Sequence, residues 1–90
     1  MPQFVVERPL PGAARLSQEE LAVLSRRWSA ALEPLGPGVQ WVHSYVAGDR
    51  VLCIYLARDA ELIRNHAVLA GHPDSTVTEC RAVLLPALAG

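Results

Sequence analysis

A small set of side chains in this sequence carries metal-binding or acid–base chemistry in an otherwise apolar setting. They are His43, His66 and His72, Cys53 and Cys80, Glu7 and Glu79, and the tyrosines Tyr45 and Tyr55. Imidazole and thiolate together suit borderline and soft divalent metals: zinc, copper and nickel. Magnesium or calcium would require an oxygen-rich set, which is not evident. The tight spacings of local metal motifs, such as C-x-x-C and H-E-x-x-H, do not occur. Any site must therefore be assembled through space from separate elements. A nucleophile–base pair can be drawn from Cys53 and His66, but no oxyanion hole, orienting acid or glycine elbow accompanies it.

Each candidate also has a plain structural reading. His43 would be a strand histidine bonded to a neighbour, His66 a helix residue at the edge of the core, and Cys53 a small buried apolar residue. His72 stands in a turn beside Pro73 and reads as solvated. Glu79 reads first as a surface carboxylate, with a role behind a histidine N–H as the sharper alternative.

The elements that position these groups follow from pattern and punctuation. "QFVVER" (Gln3–Arg8) is a short strand closed by Pro9, Pro11 and Gly12. The first helix starts at a capping box, Ser17 with Glu20, framed by Leu16 and Leu21 as a hydrophobic staple. Leu21, Leu24, Trp28, Ala31, Leu32 and Leu35 form its apolar stripe. Pro34 and the run Gly36–Gly38 end it. A hairpin follows, Gln40–Val46 and Val51–Ala57, turned at Gly48-Asp49. Asp59 caps a second helix that Gly71 stops, with Leu62, Ile63, His66, Ala67 and Ala70 on one face. Thr76–Leu85 is the fourth strand. The order strand, helix, strand, strand, helix, strand predicts an α+β, ferredoxin-like βαββαβ sandwich: a four-stranded antiparallel sheet with two helices on one face. Residues 1–90 read as one domain, with 86–90 a short tail.

The strand "VLCIYLA" (Val51–Ala57) is apolar at every position, whereas a half-solvated strand alternates. Two helices cover one face of four strands, and the chain has no spare element for the other. A second copy is the simplest cover, so the sequence predicts a homodimer through the open sheet face. A two-residue turn places His43 opposite Ile54 and Cys53 opposite Ser44, on the other face from His43. A bulge or a longer loop would bring His43 and Cys53 to one face.

The blocks "FVVER", "QWVHSYVAGDRVLCIYLA", "DAELIRNHA" and "TECRAV" resemble a family of small bacterial proteins of unassigned function. That family includes a nickel-binding, dimeric member with a ferredoxin-like fold. The resemblance runs from Phe4 to about Val83 and is most specific in the combination of W-V-H-S-Y, a cysteine in the next strand and a helix ending in H-A. It implies nickel as the bound metal, with zinc or copper as chemical competitors. It points to His43, Cys53 and His66 as the ligand set, and to Tyr45 and Glu79 as weaker candidates. The C-terminal "LLPALAG" is more apolar than the family pattern.

Composition narrows the alternatives. The formal charge is -1, all eight basic residues are arginine and they are dispersed, which argues against nucleic acid. No apolar run approaches the roughly 20 residues of a membrane span. The N-terminus lacks the pattern of a secretory signal, and two cysteines make no disulfide framework, so a cytoplasmic setting is expected. The sequence thus predicts a non-enzymatic cytoplasmic nickel-binding homodimer. The alternative is a small-molecule-binding or cofactor-free oxygenase-like dimer whose pocket is lined by Tyr45, Tyr55 and His43, a reading by fold analogy.

Overall fold

The computed structural model describes residues 1–89. Four strands form one antiparallel sheet: β1 (Gln3–Pro9), β2 (Val39–Ala47), β3 (Arg50–Ala57) and β4 (Thr76–Glu79), in the order β2-β3-β1-β4. Two helices, α1 (Gln18–Leu32) and α2 (Ala60–Leu69), follow β1 and β3. This is the ferredoxin-like α+β arrangement that the element order predicts.

Local chemistry sets the boundaries. The Ser17 hydroxyl accepts from the Glu20 backbone N–H at 3.1 Å, and the Glu20 carboxylate accepts from the Ser17 N–H at 2.9 Å. These two bonds satisfy donors that a helix start leaves free, and they hold the Glu20 carboxyl below its ordinary value. Asp59 caps α2 by accepting from the Leu62 N–H at 3.0 Å. Gly71 closes that helix at φ 88°, the left-handed conformation that costs any residue with a Cβ.

Alternation divides each strand between two faces. Phe4, Val6 and Arg8 of β1 and Val51, Cys53, Tyr55 and Ala57 of β3 are buried beneath the helices. Trp28 and Ile63 fill the space between layers, and Leu24, Ala31, Leu32 and Leu62 pack around them. The other face carries Val5, Leu52, Ile54 and Leu56, with no element of the described chain assigned to cover it.

β4 corrects the expected Thr76–Leu85 strand: it ends at Glu79. Its one neighbour is β1, whose ladder reaches Phe4↔Glu79, and the Cys80 N–H then bonds the Gln3 carbonyl at 2.8 Å. Beyond that point β1 supplies nothing to pair with, so Arg81–Leu85 leaves the sheet. The tail forms a short 3-10 turn, Pro86–Ala89, and Leu84, Leu85 and Leu88 are exposed.

Replacing Ser17 with alanine removes one half of the capping box. We expect a loss of about 1 kcal/mol in urea unfolding, against a change within about 0.5 kcal/mol for Ser29→Ala on the exposed face of the same helix. Equal effects of the two substitutions would contradict this account of the helix start.

Candidate functional site

The hairpin register decides which chemistry-bearing groups meet. Gly48 sits at φ 63°, as a tight two-residue turn requires at its first central position. From there Val46 pairs with Val51, Tyr45 with Leu52, Ser44 with Cys53 and His43 with Ile54. A β-bulge does occur, between Trp41 and His43. It lies on the far side of His43 from the turn, so it leaves the relation of His43 to Cys53 unchanged. Its effect is on Trp41, which pairs with Tyr55 on the helix side while His43 projects from the open face.

His43, Cys53 and His66 are therefore not brought together within one chain. His43 and Cys53 occupy adjacent ladder rungs on opposite faces of the sheet, and His66 is buried on the Cys53 side. On the open face the His43 ring packs edge-on to Tyr45 at 5.0 Å, and its Nε2 lies 3.1 Å from the Tyr45 hydroxyl. Both side chains are exposed. Across the sheet from Tyr45, beyond Leu52, stands Glu7, which forms an exposed ion pair with Arg50 at 3.3 Å. Glu79 is exposed at the end of β4, away from this pair. Among the described residues no three His, Cys, Asp or Glu side chains gather as a metal-binding group. The pocket expected of Tyr45, Tyr55 and His43 is likewise split, since Tyr55 lies under the helices.

Beneath the helices the structure assembles a different group. Arg8 is fully buried. Its Nη2 donates to the Tyr55 hydroxyl at 2.7 Å and lies 3.4 Å from His66 Nδ1, and its Nε donates to Ser75 Oγ at 3.2 Å. The guanidinium stacks over the Trp28 ring, 4.7 Å from its centroid. His66 Nε2 lies 2.8 Å from the Trp28 carbonyl, which accepts, so this nitrogen carries the ring proton. Nδ1 is then the acceptor for the Tyr55 hydroxyl at 2.8 Å. Both nitrogens of His66 are thus committed to the fold.

Around the charged Arg8, burial favours the neutral forms of the thiol, phenol and imidazoles. Burial pushes the Cys53 thiol up, against the opposing effects of the Ser44 hydroxyl and the Arg8 charge. Burial also raises the Tyr55 phenol. Burial disfavours the imidazolium of His66, against the Trp28 carbonyl, which favours it, and the Arg8 charge adds to the depression. His72 is depressed by burial first, then by Arg8 and Arg27, with Asp74 opposing. A protonated thiol and a fully bonded neutral histidine are poor metal ligands.

His72 corrects the reading of a solvated turn residue. Its backbone N–H bonds the Ala67 carbonyl at 2.8 Å, which tucks the ring inward, and it meets Trp28 edge-on at 5.3 Å. Arg8 was readable: Phe4, Val6 and Arg8 alternate, so an arginine stands where the strand faces the core. His72 follows the helix stop and has no periodic signal.

The sequence over residues 4–80 matches the family described as nickel responsive protein SCO4226-like, and the chain belongs to that family. The fold is shared with the crystal structure of SCO4226 from Streptomyces coelicolor A3(2). The TM-score is 0.70 at 19% identity, covering 91% of this chain and 99% of that one. No curated protein matches the chain.

Two predictions follow from the buried group. Tyr55→Phe removes the hydroxyl that joins Arg8 to His66, and should cost about 1–3 kcal/mol of stability in denaturant unfolding; a change below about 0.5 kcal/mol would contradict the network. Because both histidines have folded values depressed below their ordinary 6.5, the unfolded chain takes up more protons on acidification. The stability from their neutral rings is complete above about pH 6.5 and is lost as pH falls toward the folded values, at up to about 1.4 kcal/mol per pH unit per group. Melting temperatures should hold above that point and fall below it, less steeply in His66→Gln; an identical slope in the variant would contradict the assignment.

Proposed function

We propose that this nickel-responsive family member binds nickel as a homodimer packed through its open sheet face, with His43 as the imidazole donor from each subunit. The observation that carries this reading is the composition of that face. An apolar band, Val5, Leu52, Ile54 and Leu56, is bordered on β2 by the exposed His43–Tyr45 pair. The band is suited to burial against a like surface. The pair supplies a borderline nitrogen donor and a phenol oxygen, a combination compatible with nickel.

One protomer presents one accessible imidazole here, which is too few ligands for a divalent transition metal. A face-to-face dimer supplies the remainder, because a two-fold axis brings a second His43, Tyr45 and Glu7 to the same interface. Cys53 and His66 support the site from below by shaping the sheet and the core, with neither reaching the metal. The exposed tail leucines add apolar surface that a second copy would also cover. The roles open to such a protein are storage, sensing and detoxification. No helix of the described residues is long and apolar enough to cross a membrane, and we place the dimer in the cytoplasm.

Calorimetric titration of metal-free protein with nickel separates these assignments. His43→Ala should weaken binding at least about tenfold, the loss of roughly 1.4 kcal/mol or more. Cys53→Ser should leave the affinity within about threefold, since the thiol faces the core. Unchanged affinity in His43→Ala, or loss of binding in Cys53→Ser with the fold retained, would overturn this placement of the metal.

A further inference from the structure

The C-terminal arm, Arg81–Ala89, holds the most exposed leucines of the described residues: Leu84 is 91% exposed and Leu88 67%. The family match ends at Cys80, so the arm lies beyond the matched residues. Arg81 is its one charged residue, and Val83, Leu84, Leu85 and Leu88 follow. At the far end of β1 an apolar groove of about 300 Å³ stands open. Leu10, Pro11, Leu16, Val23 and Leu24 line it, with Glu20 beside them. Arm and groove match in chemistry: a leucine-rich segment led by a guanidinium, and a leucine-lined concavity carrying a carboxylate. The ion pairs of the described residues are Arg50 with Glu7 and Arg64 with Glu61, so neither Arg81 nor Glu20 is engaged in one. Apolar surface of this kind, exposed on both sides, marks a contact site.

The arm is rooted too far away to fill its own groove. It leaves the sheet at Cys80, whose N–H bonds the Gln3 carbonyl at the start of β1. The groove begins at Leu10, where the N–H bonds the Asp49 carbonyl of the hairpin turn. The strand between those two points spans about 23 Å, whereas full extension carries Leu85 at most about 18 Å from Cys80. A second copy has the reach. An axis along the strands, centred on the apolar band, would send the two β2 edges to opposite sides, so His43 meets its twin when the two-fold axis crosses the strands. That axis lays the Cys80 end of one sheet over the Gly48–Asp49 end of the other, beside the groove. Packed sheets lie about 10 Å apart, and Arg81–Leu88 extends to about 26 Å, enough to round the sheet end. The area needed points the same way. Three rungs on four strands give about a dozen residues, where a stable interface takes about 20–30 a side.

We propose that the C-terminal arm of each copy crosses to the other and seats Leu84 and Leu85 in the groove between β1 and α1, with Arg81 directed toward Glu20. The proposal rests on the sheet-face dimer described above. The exchange is reciprocal, so it closes at two copies and leaves no groove open for a third. It adds apolar burial outside the sheet face, and it acts on nickel binding only through the strength of the dimer.

The test is disulfide trapping on the full chain in a Cys80→Ser background, where the remaining native thiol, Cys53, is buried. Chains carrying Val23→Cys are mixed with isotopically heavy chains carrying Leu85→Cys and oxidised with glutathione disulfide. A covalent heterodimer should form, and none when Ser29→Cys, exposed farther along α1, replaces Val23→Cys. Without cross-linking, Leu84→Asp with Leu85→Asp, and separately Val23→Asp, should each raise the dimer dissociation constant at least about tenfold in sedimentation. Combining them should add less than about threefold more, because they remove one shared contact. All these positions are exposed, so an unchanged melting profile of the monomer certifies the fold. A dimeric wild type with no Val23–Leu85 heterodimer, arm variants that dimerise as the wild type does, or a bond formed only within a chain carrying both cysteines would overturn the exchange and leave the sheet-face dimer standing. A monomeric wild type would overturn both.

Discussion

The amount of chain available sets the design of this protein. With 90 residues it forms four strands and two helices, and both helices lie on the same side of the sheet. Small domains bury a modest share of their surface, so each apolar position matters. On the helix side the ladder residues Phe4, Val6, Val51, Cys53 and Tyr55 meet Trp28 and Ile63 and are buried. On the other side equally apolar residues of the same strands, Leu52, Ile54 and Leu56, remain half-covered. The strand that runs through both environments has no polar face because the family's working unit, in our proposal, gives it no wet one.

The two sides differ in kind as well as in cover. The open side holds His43 and Tyr45 at the surface, where an incoming ion or a second subunit can meet them. The helix side holds Arg8, Tyr55 and His66 in a buried network, with half-buried Ser75 at its edge. Closed polar networks are costly unless every member is partnered, and they rigidify what they join. Here the network ties β1, β3 and α2 to the turn before β4, which are the elements that hold the open face in place.

The fold was legible in the sequence because its signals agreed with one another. The capping box at Ser17, the Asp59 cap, the Gly48 turn and the Gly71 stop each mark an element boundary that packing then respects. The turn also carried the register: counting back from Gly48 through a two-residue loop gives the His43–Ile54 and Ser44–Cys53 pairs. The bulge at Val42 was not legible. In "QWVHSYV" simple alternation puts Trp41, His43 and Tyr45 on one face, and only the inserted residue sends Trp41 inward to Trp28. The length of β4 escaped for a related reason, since where an edge strand ends depends on its neighbour. The family resemblance brought His43, Cys53 and His66 into one set, from a longer list of candidates given by residue type. The hairpin register separates them: it pairs His43 with Ile54 on the open face and Cys53 with Ser44 on the helix side, the side on which α2 buries His66. The buried arginine was written into the alternation of β1, whereas the inward turn of His72 arises from a backbone bond to Ala67 that no spacing announces.

The central claim is that the half-covered apolar sheet face is closed by a second copy, which completes the metal site. Sedimentation equilibrium of the untagged chain at micromolar concentration, free of metal and with nickel, tests it most directly. The account predicts a species of twice the 9.8 kDa chain mass, reduced to the monomer by Ile54→Asp in the middle of the band. A wild-type protein that sediments as a monomer under both conditions, while still binding nickel with full affinity, would contradict it.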